Sequence, residues 1–251
     1  MDIAVLVKQV PDTWSRRALD PSSGRVIRDP RDAVLDEIDE VAVEVALAAA
    51  AASKGRVVLV AMGPDQATDA VRRGLAMGAD EAVLVADPAL AGADMLTTAR
   101  VLAEVVRREG CDLVVAGDES TDGRGGVIPA MVAELLGRPH ATFLDRIEVG
   151  DSIRATRAAD DATVELEVGL PAVVSVTERA AEPRLPGLKG TLRARKAPVR
   201  IFTAAELGVP VASPVVLVDA VERPPRTGGR VVADDEAVSA FVDFLAEHKA
   251  I

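Results

Sequence analysis

Through residue 137, short β-branched runs alternate with longer stretches of helical period, and this alternation constrains the fold more than any other feature of the chain. The runs IAVLV (3–7), RVVLVAM (56–62), EAVLVAD (81–87) and DLVVAG (112–117) are apolar on successive residues, as strands buried on both faces are. Between them, Ile38, Val41, Ala42, Val45, Ala46 and Ala49 recur at helical spacing. The same period carries Ala67, Ala70, Val71, Gly74 and Leu75, then Ala99, Leu102, Ala103 and Val106, and finally Ile128, Met131, Val132, Leu135 and Leu136. Such alternation implies right-handed crossovers and predicts an α/β fold, a doubly wound and mostly parallel sheet. With 49% apolar but only 2% aromatic residues, its core must be built from Ala, Val and Leu.

The texture changes after Gly137. ATFLDRIEVG and DSIRATRAAD read as strands joined by a Gly-Asp turn, followed by ATVELEVG and LPAVVSVTE. We expect them to add antiparallel strands at the edge of the parallel sheet. Residues 182–200 (EPRLPGLKGTLRARKAPVR) break the pattern with three prolines and two glycines. A tail with TAAELGV, a proline-rich linker near 222–226 and a last helix over about 234–248 complete the chain. The expected organisation is an α/β domain over 1–200 and a C-terminal arm over 201–251, poorly suited to packing on the main sheet.

Net charge is −11, which argues against nucleic acid or an anionic membrane as partner. The single cysteine, Cys111, fits a reducing compartment, and MDIAVLVKQVPD reads as no signal peptide. No run approaches the ~18 apolar residues of a membrane span. A cytoplasmic protein is expected.

Ligands of doubly wound sheets bind at loops leaving the C-terminal ends of the parallel strands. Here those loops are VKQVPDTW, MGPDQ and GDESTDGRGG. The last holds Gly117, Gly123, Gly125 and Gly126 and runs straight into a helix. Free N–H groups and the dipole at a helix start form an anion site that needs no lysine. A phosphate held by backbone, with Arg124 as optional help, is one reading, and a merely tight turn is the other. Neither the G-x-G-x-x-G nor the Walker pattern is present.

Catalytic constellations are thin. His140 opens a strand, and His248 sits near the end of the terminal helix. Cys111 reads as a small core residue, Asp160 and Asp161 as a hairpin turn, and Ser120 lacks a nucleophile-elbow context. No Cys/His cluster has metal-ligand spacing. The segment 182–200 is a basic island (Arg184, Lys189, Arg193, Arg195, Lys196, Arg200) bracketing Leu185 and Leu188. It reads either as a solvated loop or as a docking loop for an acidic partner.

Several blocks, read together, resemble the beta subunit of electron transfer flavoprotein: VLVKQVPDTW, LDEIDEVAVEVAL, VAMGPDQATDAVRRGLAMGADEAVLV, STDGRGGVIPAMVAELLG and LPAVVSVTERAAEPR. The resemblance covers residues 1 to about 200. It implies a Rossmann-like, adenine-nucleotide-binding fold and a non-enzymatic electron-carrier subunit that binds a structural AMP. The partner it implies is an alpha subunit holding most of a redox-active FAD. Electrons would come from acyl-CoA and related dehydrogenases of fatty acid β-oxidation and pass to a membrane quinone oxidoreductase. By position, the adenine pocket falls to Leu6, Asp36 and Met62, and the phosphate to Asp122, Gly125, Gly126, Val127 and Ile128. Where the family often has Asn-Gln-Thr, this chain has Gly126, Val127 and Ile128, which leaves backbone N–H contacts. Thr13, Trp14 and Ile38 fall near the flavin, and Leu188, Arg193, Arg195 and Lys196 on the partner-recognition loop. A bifurcating relative with a second FAD in the beta subunit, and a stand-alone universal-stress-type ATP- or AMP-binding module, are the alternatives.

Overall fold

The computed structural model describes residues 1–15, 17–212, 214–221, 223–224, 228–229 and 231–250. Strand β1 (Ile3–Val7) leads into a short pair, β2 (Gln9–Pro11) with β5 (Ala33–Leu35), which encloses the two-residue hairpin strands β3 (Leu19–Asp20) and β4 (Arg25–Val26). Helix α1 (Glu37–Ser53), β6 (Val57–Met62), α2 (Thr68–Met77), β7 (Glu81–Val85), α3 (Met95–Glu109), β8 (Leu113–Gly117) and α4 (Ile128–Leu136) follow in strict alternation. Every helix and strand expected in this half is present.

Beyond it lie β9 (His140–Leu144), β10 (Arg146–Val149), β11 (Ser152–Ala159), β12 (Ala162–Gly169) and β13 (Ala172–Val176). The short helix α5 (Leu188–Ala194), β14 (Val199–Phe202), α6 (Ala204–Leu207) and α7 (Ala237–Glu247) complete the described elements. The main sheet is seven-stranded in the order β14-β7-β6-β1-β8-β13-β9, with every pairing parallel.

Alternation along β1 shows why the sheet is covered on both sides. Ile3, Val5 and Val7 face one apolar layer with α1 and α2, whereas Ala4 and Leu6 face the other with α3 and α4. Among the described residues no aromatic side chain is buried, and both layers are built almost entirely from Ala, Val, Leu and Ile.

The antiparallel expectation holds only for β10, β11 and β12, which form their own three-stranded sheet. β9 and β13 are instead parallel strands of the main sheet. The reason lies in burial: AVVSV in β13 is buried at all five positions, as an interior parallel strand requires, whereas β12 alternates exposed and half-buried residues. A second difference lies at residues 199–202, which form the edge strand β14 beside β7.

The chain forms two compact units, Met1–Asp219 and Ala220–Ile251. Of the proline-rich linker read at 222–226, Glu222, Pro225 and Arg226 lie outside the described residues. The last helix, expected over about 234–248, runs from Ala237 to Glu247. Among the described residues no helix is long and apolar enough to cross a membrane.

Candidate functional site

Strand order reverses at β1: the chain passes outward through β6 and β7 on one side and through β8 on the other. The crevice outside the carboxyl ends of β1 and β8 is therefore the topological switch point, where ligands of open α/β sheets bind. Two buried carboxylates tie its walls together. Asp36 caps α1 through the Ile38 N–H (3.1 Å), while its other oxygen accepts from the Thr121 N–H (2.7 Å) and hydroxyl (3.1 Å). Asp39 accepts from the Lys8 N–H at 2.7 Å. The end of β1, the start of α1 and the loop after β8 are thus one hydrogen-bonded unit. Burial raises the pKa of Asp36 above the usual carboxylate value, against the pull of its hydrogen bonds. Asp39 is displaced further upward, by burial and then by the Asp36 charge.

Lys8 and Arg28 bring positive charge to the same loop. The Lys8 ammonium donates to Asp122 Oδ1 (2.7 Å) and Ser120 Oγ (3.1 Å). Arg28, just beyond β4, donates through Nε (2.9 Å) and Nη2 (2.6 Å) to Asp122 Oδ2. Burial alone would raise the Asp122 pKa, but Lys8 and Arg28 outweigh it and hold it at about 2. The carboxylate is therefore ionised and fully paired. Arg124 turns to Glu119 instead (2.8 Å).

Beyond Asp122 the loop closes on α4. Gly126 has φ +64°, and a Cβ there would stand 3.2 Å from the Phe143 ring, so glycine suits both its backbone and its packing. Phe143 itself has φ +60°, and its N–H donates to the hydroxyl of buried Ser175 at 3.0 Å. No side chain caps the start of α4, where Val127 precedes Ile128 and Pro129. Asp118 Oδ1, at the mouth of β8, is buried without a hydrogen-bond partner among the described residues.

The expected residues divide between the loop after β8 and the apolar layers beside it. Leu6, Met62 and Ile128 join one apolar cluster on the second face of the sheet. Asp36, Asp122, Gly125, Gly126 and Val127 line or support the loop, although both named carboxylates are directed into the protein. Ile38 is half-buried against Gly117, the Thr13 hydroxyl is bonded to Glu37, and Trp14 is 94% exposed. Lys8, Arg28 and Asp39 were not anticipated. Lys8 could have been found, since it directly follows a buried strand at its carboxyl end. Arg28 carries no local signal, because it lies 94 residues from the loop it meets.

The 182–200 segment is pinned to the body. Arg184 forks onto Glu44 (2.6 and 2.7 Å), and Arg193 donates to the carbonyls of Leu75 (3.0 Å) and Ala79 (3.2 Å). Arg193 thus fastens α5 to α2, while Leu185, Leu188, Arg195 and Lys196 remain exposed. The remaining candidates have ordinary surroundings. Cys111 is buried, with burial pushing its thiol up to about 11, and His248 stacks on Phe244 at 4.2 Å.

A family model described as "Electron transfer flavoprotein domain" matches residues 24–220. An electron transfer flavoprotein subunit beta of Mycobacterium leprae is 44% identical over 265 aligned positions, covering 100% of this chain and 99% of the relative. The chain belongs to the electron transfer flavoprotein beta-subunit family. A beta subunit from Mycobacterium tuberculosis (strain ATCC 25618 / H37Rv) is 42% identical with the same coverage. One from Megasphaera elsdenii is 33% identical, covering 98% of this chain and 97% of the relative. Likeness to these beta subunits extends over the crevice loop, the α5 platform and the C-terminal unit alike, which a stand-alone nucleotide-binding module would not require.

Proposed function

We propose that this chain pairs with an alpha subunit to form a heterodimeric electron carrier, that it binds AMP in the β1/β8 crevice, and that it has no catalytic residues of its own. In this reading the heterodimer takes electrons from acyl-CoA-type dehydrogenases and delivers them to the respiratory chain through a membrane quinone oxidoreductase, working in the cytoplasm. The observation that carries the AMP assignment is the glycine-rich loop braced at a topological switch point and feeding a helix start that no side chain caps. The residues present fit such a ligand. Backbone N–H groups of Gly125, Gly126, Val127 and Ile128 would hold the phosphate, with Leu6 and Met62 as apolar wall. The buried, unpartnered Asp118 Oδ1 offers a polar contact beside them.

FAD, mostly held by the alpha subunit, would supply the redox chemistry. Thr13, Trp14 and Ile38 are assigned to enclosing it and excluding water. A side chain as exposed as Trp14 is in keeping with a site completed by another chain. Leu188, with Arg195 and Lys196, is assigned to partner recognition. Arg193, itself exposed, supports that surface by fastening α5 to α2.

The test is nucleotide extraction from the co-expressed heterodimer. One FAD and one AMP per pair are expected. Two FAD molecules and no AMP would assign the crevice to a second flavin, the bifurcating arrangement.

A further inference from the structure

We propose that Lys8 and Arg28, two cations outside the glycine-rich loop, are the charged ligands of the nucleotide phosphate, and that Asp122 orders them without touching the ligand. This rests on the nucleotide reading above and assigns its charged contacts. Exposure orders the three groups: the Asp122 side chain is 0% accessible, whereas those of Lys8 and Arg28 are 39% and 45%. An anion arriving from solvent therefore meets the cations, with the carboxylate behind them.

Donor capacity agrees. The Lys8 ammonium has three N–H groups and directs two at protein acceptors, Ser120 and Asp122. Arg28 uses Nε and Nη2 on Asp122, which leaves guanidinium N–H groups over. The Lys8 ammonium also lies against the loop, 3.6 Å from where a Cβ on Gly123 would stand. The ion-paired set of Lys8, Arg28 and Asp122 has one more cation than carboxylate, while Asp36 and Asp39, with pKa values raised by burial, are enclosed in the wall behind it. Glu119 and Arg124 cancel beside them. The lysine absent from the loop sequence thus reaches it through the fold, 114 residues away along the chain. The ligand class this selects is a nucleoside phosphate over the corresponding nucleoside.

The full-length chain, refolded with AMP or with adenosine, provides the test by ligand-induced thermal stabilisation and calorimetric titration at low and high salt. The wild-type chain should prefer AMP, with an affinity that falls as salt rises. Lys8→Met combined with Arg28→Gln should weaken AMP by about tenfold or more and leave adenosine unchanged. Lys8→Arg should retain the preference. Undiminished AMP binding in the double variant would overturn the proposal in favour of backbone contacts alone. So would a parallel loss of AMP and adenosine, which would make the cations structural supports. Should the double variant fail to fold, the single variants Lys8→Met and Arg28→Gln decide: each should weaken AMP and leave adenosine unchanged, and unchanged AMP binding in both, or a parallel loss of AMP and adenosine, would reject the assignment. No AMP binding to the wild-type chain would instead reject the nucleotide reading and this inference with it.

Discussion

Asp36 holds Thr121, the residue before Asp122, yet the two carboxylates' charges respond to the fold in opposite directions. Asp122 is held at about 2 against an ordinary 3.8, so its stabilising contribution is complete above pH 3.8 and disappears as pH falls through about 2. Asp36 and Asp39 have raised values, so the native state binds their protons more readily than the unfolded chain does. They add stability as pH falls from those raised values towards 3.8, and they cost stability at neutral pH. Lowering the pH from neutrality towards 3.8 should therefore relieve the cost of this pair, and below 3.8 the loss of the Asp122 contribution takes over. In Asp122→Asn the loss between about pH 4 and pH 2 should shrink by roughly 2 kcal/mol, as urea denaturation at stepped pH would measure. An unchanged acid limb would mean the ion pairs add nothing. Asp36→Ala removes a helix cap and strands the Thr121 N–H. It should cost about 2–4 kcal/mol by urea denaturation at neutral pH, with a loss below 1 kcal/mol contradicting the clamp.

At the scale of elements, α5 shows how a segment that reads as an irregular basic loop becomes a platform. Arg72 donates to the carbonyls of Ala194 and Ala197, Arg193 to those of Leu75 and Ala79, and Gly190 lies so near α2 that a Cβ would stand 2.3 Å from the Ala76 carbonyl oxygen. Gly190→Ala should therefore displace α5 and lower stability by about 1–3 kcal/mol, read as a reduced denaturation midpoint. Leu188→Ala, at a position 78% exposed, should leave stability and flavin content unchanged while slowing electron transfer with the dehydrogenase. Loss of flavin in that variant would make the residue structural. None of the α5 contacts was legible, because each joins residues more than a hundred positions apart. The first half of the sheet was legible because its periods are local: two-sided burial in the strands and one-sided burial in the helices. β13 carried the same signal in AVVSV, but its neighbours β11 and β12 alternate, and proximity in sequence suggested a shared antiparallel sheet. The site was half legible for the same reason. The glycines announce the loop, whereas the charges that balance Asp122 come from elsewhere in the fold.

At the scale of the whole molecule, the two units differ in how completely each buries its apolar residues. In Met1–Asp219 the two faces of the parallel sheet account for the buried core, and the last core residue is Leu207. Among the described residues of the C-terminal unit none is buried. In α7 no residue is buried, and Val238, Phe241, Val242 and Phe244 are all exposed, Phe241 at 62%. Val215, Val216, Leu217 and Val218, which precede that unit, are exposed as well. Apolar surface concentrated in this way is characteristic of a segment completed by another chain, and we propose that this arm packs on the alpha subunit. Removing residues 220–251 should therefore leave the first unit folded, with its thermal midpoint close to that of the full chain, while abolishing co-purification with the alpha subunit. The finer variant Phe241→Asp with Phe244→Asp puts two charges on the same helix and should weaken the pair without altering the AMP content of the crevice. A truncated chain that still co-purifies in equal amount would place the subunit contact on the sheet domain and reject that proposal. A truncated chain that fails to fold would contradict the independence of the first unit, whose last buried core residue is Leu207.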